Sequence, residues 1–464
     1  MKKFILLNTD DNTGNHLIII NQIKKDILQK ILSFLNYTID KQIIFETLCI
    51  LINLSYDIKG AKLIGDKNND FYLLTIKNSL MFSLNDKIIL YYTLWLIKNL
   101  CHEITEIKLF FYNNCIFDYF LKIIEKYEFD DEINKMLITV ITNISKTNIF
   151  SNVDKEYIKV IPFLVKNLTF IGNANDIQKP FYILFKMSET RNLKVLDSLL
   201  SCGIHKKIIK MYKEIKTSNL QEDIIIKIKL FILMILGNIA SGDNIQTQTL
   251  INNGIIDFVN ELLKEHNLKI LKNVFWIVES ICSGSLGQIS CLFEKNTIYF
   301  IIQIGILIYE NIGNPNNDNI KSILLIQNYK TIIRIICLCI TGSLNQEVIS
   351  ILTYENHVSL SFLIYALKNF QDDYKLIYLI FKTFHTIKLI EEILPDSSYY
   401  PNDYSYFSFM IDNGLENILE KLSNCENVNI SKEAEYFYDT LILGDDDPEN
   451  ILRNSNSIDI DDIK

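Results

Sequence analysis

Trp95, Asn99 and Glu103 stand four residues apart in the stretch TLWLIKNLCHE, which begins at Thr93. Four residues turn a helix through roughly 400°, so the three side chains lie almost above one another on one stripe. The chemistry such a stripe offers is recognition. An amide carries both a donor and an acceptor, so a row of amides can pair with the N–H and C=O groups of an extended peptide. Each such bond contributes ~0.5–1.5 kcal/mol net, so affinity needs several. An indole face accepts the stem of a lysine, with a cation–π attraction of ~0.5–2 kcal/mol. A carboxylate then pairs with the ammonium group. The stripe reads as a grip for a basic, extended peptide.

Catalytic signatures do not accompany it. No GxxxxGK[ST], HExxH, GxSxG or dinucleotide fingerprint occurs. His102 and Glu103 lack the second histidine that a zinc helix would need, and GSLGQ from Gly284 is not set in a strand–turn–helix phosphate loop. The expectation is a binding protein, not an enzyme, with no metal and no cofactor.

The stripe recurs. Asn53, Asn99, Asn143 and Asn238 each sit near the end of an apolar run, and Lys186 and Ser280 occupy the same slot in YILFKMSET and VFWIVESICSG. The steps between successive slots are 46, 44, 43, 52 and 42 residues. Cys339 in IICLCITGS follows after 59, a step lengthened by the polar insertion NIGNPNNDN from Asn311. Between these runs lies a second recurring unit, a glycine followed by apolar residues at helical spacing, at Gly203, Gly254 and Gly414. Glycine supplies the sharp turn between two helices. Each unit is therefore a short helix, a turn, a helix, a loop and a long apolar helix. A helix apolar nearly all round must be buried between neighbours. Stacked units of ~40–47 residues built this way are HEAT or armadillo repeats. The two tryptophans, Trp95 and Trp276, each precede their slot residue by four, so they occupy one position of two different repeats. Together with the asparagines they predict a ladder exposed to a ligand along one groove.

The bulk numbers agree. Hydrophobic residues make up 49% and charged residues 22% of the 464, enough for an extensive core and too apolar for a disordered chain. Only 15 Gly and 6 Pro punctuate that length, which favours helices joined by short turns. No uninterrupted apolar run reaches the ~18 residues of a membrane span. The N-terminal MKKFILLNTDDN carries too short an apolar run for a secretion signal. The expectation is a soluble intracellular chain that meets no membrane. The nine cysteines lack a disulfide-framework spacing and read as reduced thiols, including Cys337 and Cys339 in RIICLCI. A net charge of −9 and a pI of about 5.4 disfavour nucleic acid as a partner, since the phosphate backbone needs a basic surface.

From about Ile18 to about Asn450 the sequence resembles importin alpha, the armadillo adaptor family that carries basic nuclear localisation signals. TLWLIKNLCHE is similar to that family's W-A-L-G-N-x-A-G-D helix, and ILGNIASGDNIQTQTLINNG (Ile235 to Gly254) to its V-G-N-I-x-T-G, Gln-Thr-Gln and closing glycine. NVFWIVESICSG resembles the next tryptophan helix, and MIDNGLENILEKLSNCENVNISKEAEYFYDTLILGDDDPEN the terminal repeat. The resemblance implies an all-α, right-handed superhelical solenoid of about nine armadillo repeats. It implies a major peptide site at Asn53, Trp95, Asn99, Glu103 and Asn143, and a minor site at Asn238, Gly242, Thr247 and Trp276. It implies basic cargo peptides as partners, an export receptor at the C-terminal repeat, and work in the cytoplasm and nucleus. The alternative is an armadillo scaffold that no longer transports and binds or sequesters other proteins.

Departures from the family pattern qualify these expectations. The tryptophan position is Cys49, Thr139 and Ile335 in other repeats. Asp57 and Lys62 stand where the family has Gly and Thr, so Lys62 is expected to repel a bound lysine, and Lys186 replaces a Tyr. Residues 1–20 contain only Lys2 and Lys3 in place of the family's Arg/Lys-rich arm, so neither importin-beta recruitment through that arm nor its autoinhibition is expected. The expected organisation is a short N-terminal segment over 1–15, the solenoid over 16–443 and an acidic tail over 444–464. That tail reads as a solvated, mobile end; the resemblance implies the alternative that its first part borders the surface by which the family meets its export receptor.

Overall fold

The computed structural model describes residues 25–37, 40–65, 70–147, 155–170, 172–215, 218–312, 319–393 and 405–443; the expected N-terminal segment and acidic tail lie outside them. Among the described residues every regular element is helical. The chain divides into two compact units, Met1–Asn238 and Ile239–Lys464.

The first unit opens with α1 (Lys25–Tyr37) and α2 (Lys41–Leu54) and continues in triplets. These are α3 (Ile58–Ile64), α4 (Asp70–Ser83) and α5 (Lys87–Leu100); α6 (Thr105–Asn113), α7 (Ile116–Lys126) and α8 (Asp131–Ser145); α9 (Lys155–Ile158), α10 (Ile161–Lys166) and α11 (Ala174–Ser188); and α12 (Leu193–Ser201), α13 (Ile204–Glu214) and α14 (Glu222–Ala240). The second unit repeats the pattern: α15 (Asn244–Asn252), α16 (Ile255–Leu262) and α17 (Leu268–Cys282); α18 (Leu286–Glu294), α19 (Thr297–Asn311) and α20 (Asn319–Gly342); α21 (Asn345–Thr353), α22 (Val358–Asn369) and α23 (Tyr374–Ile393); α24 (Tyr406–Asp412), α25 (Leu415–Ser423) and α26 (Val428–Tyr438). Short first helix, second helix and long third helix is the armadillo arrangement, and the chain is all-α.

The third helices carry each unit. In the first, α2 packs on α5, α5 on α8 and α8 on α11; in the second, α17 packs on α20, α20 on α23 and α23 on α26. Helix α5 shows why. It buries Ile89, Leu90, Thr93, Leu94, Leu96, Ile97 and Leu100, which cover two faces, one for each neighbour. Helix α20 is 24 residues long and apolar enough to cross a membrane, although Lys330 and Arg334 interrupt its apolar run. Most of it is buried against α17, α19 and α23, as in the core helix of a stack.

Local chemistry sets the boundaries. Asp40, Asp86, Asp130, Asn173, Asn267 and Asn427 cap third helices, each side chain accepting from backbone N–H groups of the first turn. The turn between first and second helices needs one residue in the left-handed region. Gly203 (φ 68°), Gly254 (φ 83°) and Gly414 (φ 91°) provide it as the spacing predicts. Cys115 (φ 56°), Asn296 (φ 58°) and His357 (φ 63°) hold the same place in other repeats, where the glycine pattern could not reveal the turn.

Candidate functional site

A groove opens in the first unit along successive third helices. It has a volume of about 860 Å³ and is lined by Ser55 and Tyr56 after α2, Lys98 and Asn99 of α5, Thr139 and Asn143 of α8, Gln178 and Tyr182 of α11, and Lys227 and Phe231 of α14, with neighbours from the same elements. A smaller cavity of about 380 Å³ continues from it and shares Ser55, Tyr56, Asn99 and His102. It adds Asp57, Lys59 and Glu103. The structure thus brings Asn99 and Asn143 to the larger cavity and Glu103 to the smaller one. Asn53 lies outside both linings and is half-buried.

The asparagine ladder differs from the expected row of ligand-facing amides. Asn143 is buried, and its Nδ2 donates to the backbone carbonyl of Lys98 at 3.0 Å. Asn99 Nδ2 donates to the Ser55 hydroxyl at 3.3 Å and lies 3.5 Å from the Ile52 carbonyl. Asn238, also buried, donates to the Ser188 hydroxyl at 2.9 Å. The register is constant. The accepting carbonyl is one residue before the preceding slot, and the accepting hydroxyl two residues after it. Those positions fall at the C-terminus of the preceding third helix, where the last four carbonyls have no partner within the helix. The hydroxyls of Ser55 and Ser188 donate in turn to the Ile52 and Phe185 carbonyls. The slot amides of α5, α8 and α14 thus each tie a third helix to the end of the one before. An amide is tolerated in an apolar helix because it is satisfied there.

Comparable links join the third helices of the second unit without asparagine. Ser280 shares a hydrogen bond at 2.8 Å with Ser241, three residues past the preceding slot, and Cys339 Sγ lies 3.5 Å from Cys282 Sγ, two residues past its own. Burial pushes the thiols of Cys101, Cys337 and Cys339 up, Cys337 to about 12, which keeps them protonated. Cys115, by contrast, is exposed.

Trp95 is half-buried and packs edge-on against Tyr91 and at a tilt against Tyr92, with ring centroids at 6.3 and 5.7 Å. The Nζ of Lys98, three residues on, lies 5.5 Å from the indole centroid. The cation expected from a ligand is supplied by the protein itself. Burial, and secondarily the charge of Lys179, hold the Lys98 ammonium below its ordinary pKa. Lys62, the expected source of repulsion, is exposed near the end of α3 and lines neither cavity; Lys59 stands there instead. Periodicity could not distinguish Lys62 from Lys98, because the register of the short α3 was not fixed by any apolar repeat. Glu103 is exposed and pairs with His102 at 3.4 Å, whereas Asp57 accepts from the N–H groups of Lys59 and Gly60 as the cap of α3. Lys186 is held by Glu189 at 2.6 Å.

The expected minor-site residues divide between the units. Asn238 ends the first. In the second, Gly242 lies in the turn after α14, and Thr247 is buried with its hydroxyl on the carbonyls of Ala240 and Asp243 at 2.9 and 3.0 Å. That hydroxyl closes the turn into α15. Trp276 is half-buried on α17. Among the described residues no three His, Cys, Asp or Glu side chains converge as a metal site would require.

No family model and no curated protein matches the sequence. Solved structures do match in fold. One is an engineered protein, 16% identical, with a TM-score of 0.60 over 94% of this chain and 97% of that one. Another, from work on a phosphorylation switch controlling the interaction between cadherin and beta-catenin, is 10% identical, with a TM-score of 0.63 over 91% of this chain and 76% of that one. A designed armadillo repeat protein, 19% identical, aligns over 61% of this chain and 99% of its own at a TM-score of 0.43, too loose a superposition to carry weight. The likeness establishes the armadillo-type fold.

Proposed function

We propose that this chain is an armadillo-repeat interaction scaffold whose first unit binds an extended peptide segment. The observation that carries the reading is the groove itself. Successive third helices present equivalent faces to it, so polar and aromatic groups recur along its length at the repeat interval. Neighbouring helices pack at roughly 8–10 Å, the span of two or three residues of an extended chain at ~3.3 Å each. The exposed amide of Asn175 and the half-buried Asn99, Gln178 and Tyr182 side chains can meet backbone groups of such a chain, while the exposed Tyr56 offers a ring face. The role is non-catalytic: it asks only for shape and hydrogen bonds.

The import-adaptor reading rests on the sequence resemblance. Two observations weigh against a basic ligand at its major site: Lys98 already covers the Trp95 indole, and the buried slot amide of Asn143 is engaged between helices. The scaffold reading needs neither group free.

The test is saturable binding of short labelled peptides to the full chain. Gln178 is half-buried on the groove wall, so Gln178→Trp should fill the groove and abolish binding with the melting temperature unchanged. Peptide binding indifferent to that substitution would place the ligand elsewhere.

A further inference from the structure

We infer that the groove of the first unit takes an extended peptide rich in carboxylates; the inference rests on the peptide-groove reading and names its ligand class. Each of four successive third helices contributes one lysine to the larger cavity: Lys98 from α5, Lys146 at the C-terminal cap of α8, Lys179 from α11 and Lys227 from α14. Among the described residues no Asp or Glu lines that cavity. In a chain of net charge −9, such a segregated run of positive charge is a local feature.

Lys179 is held by Asp176 at 2.7 Å and also donates to Thr139 at 2.8 Å. Among the described residues no ion pair engages Lys98, Lys146 or Lys227. Lys98 is half-buried, and both its burial and the nearby Lys179 disfavour its charge. A half-buried cation without a counter-ion is costly, and an arriving carboxylate offsets that cost. The same side chain covers Trp95, so the indole slot that would hold a ligand lysine is filled from within. In the adjoining smaller cavity the Asp57 carboxylate caps α3, accepting from the N–H groups of Lys59 and Gly60, and Glu103 is exposed beside His102.

The ladder also fixes a period. One ammonium per repeat, at a helix spacing of roughly 8–10 Å, matches a carboxylate on every second or third residue of an extended chain. A peptide fits this better than a nucleic acid, because the wall between the lysines is lined with Asn, Gln and Thr side chains that pair with peptide groups.

The experiment is fluorescence anisotropy on the full chain with short labelled peptides of equal length: alternating Glu-Thr, alternating Lys-Thr and uncharged Ser-Thr, with a single-stranded oligonucleotide as a fourth probe. The Glu-Thr peptide should bind roughly tenfold or more tightly than Lys-Thr, and its affinity should fall with added salt. Lys146→Glu with Lys227→Glu should weaken Glu-Thr roughly tenfold and strengthen Lys-Thr. Both lysines are exposed, so circular dichroism melting should show an unchanged fold. Tighter binding of Lys-Thr, or indifference of Glu-Thr to the double substitution, would overturn the charge assignment and leave the peptide groove standing. Binding of the oligonucleotide at least as tight as Glu-Thr would overturn the peptide as occupant. No binding of any peptide would bring down the groove reading itself.

Discussion

Lys98 and Trp95 share one face of α5, with the ammonium nitrogen 5.5 Å from the centre of the indole. The pair is three residues apart, the spacing at which helical side chains meet, so the contact forms within the helix and needs no ligand. It turns a position that could grip a lysine into one that presents a positive charge to the groove. Trp95 also closes a ring cluster with Tyr91 and Tyr92, and Phe45 of α2 packs against Tyr92 at 4.8 Å.

The indole is therefore partly structural. Trp95→Ala should lower unfolding stability by about 2 kcal/mol, less than for a fully buried ring, through lost edge contacts and burial. Urea denaturation followed by far-ultraviolet circular dichroism measures it. A change near zero would mean that the cluster contributes nothing to the fold.

The slot asparagines should differ from one another. Asn143→Ala removes a buried donor and strands the Lys98 carbonyl, which should cost about 1–3 kcal/mol. Asn99→Ala removes a half-buried amide with longer bonds, for which about 0.5–1 kcal/mol is expected. Equal losses in paired denaturation curves would refute the difference in burial as their cause.

Acid should loosen the first unit through its caps. Asp86 accepts from Lys41 of the preceding third helix at 2.8 Å and from the N–H groups of Ile88 and Ile89; Asp130 repeats this with Lys87 at 2.9 Å. The hydrogen bond from the lysine is the main cause that holds each carboxyl below its ordinary 3.8, with backbone N–H groups adding to it. A folded-state pKa below the unfolded one means that the contribution is whole above 3.8 and is lost as pH falls through the folded value. Asp86→Ala should thus cost about 1 kcal/mol near neutrality, and the gap from the parent chain should close in acid. A gap that stays constant down to acid pH would rule out the charged form as its source.

The turns should respond to backbone conformation alone. At Gly254 a Cβ would meet nothing within 4 Å, yet φ is 83°. Gly254→Ala should destabilise by about 1 kcal/mol, purely from the left-handed backbone. In the equivalent turn Cys115 is exposed with φ 56°, so Cys115→Gly should stabilise by about 0.5–1 kcal/mol. Thermal melts of the two variants should shift in opposite directions; a shared direction would contradict the common turn.

The sequence by itself determined the repeat. The apolar third helices, the slots about 42–52 residues apart from Asn53 to Ser280 and the glycines at 203, 254 and 414 specify stacked helical triplets, because burial and turn geometry act locally and leave a periodic trace. It also marked Asn99 and Asn143, which line the larger cavity, and Glu103, which lines the smaller one, whereas Trp95 of the same stripe lies outside both linings. What only the tertiary structure decided is where each of those side chains spends its valence. An asparagine at the end of an apolar helix has the same sequence signature whether its amide meets a ligand or the carbonyl of Lys98. That choice depends on how far the preceding helix end lies from it in space. Likewise the sequence placed Lys98, Lys146, Lys179 and Lys227 in separate repeats, some 33 to 48 residues apart. Stacking brought them to one cavity, because lateral packing of the third helices converts positions distant along the chain into neighbours across the groove.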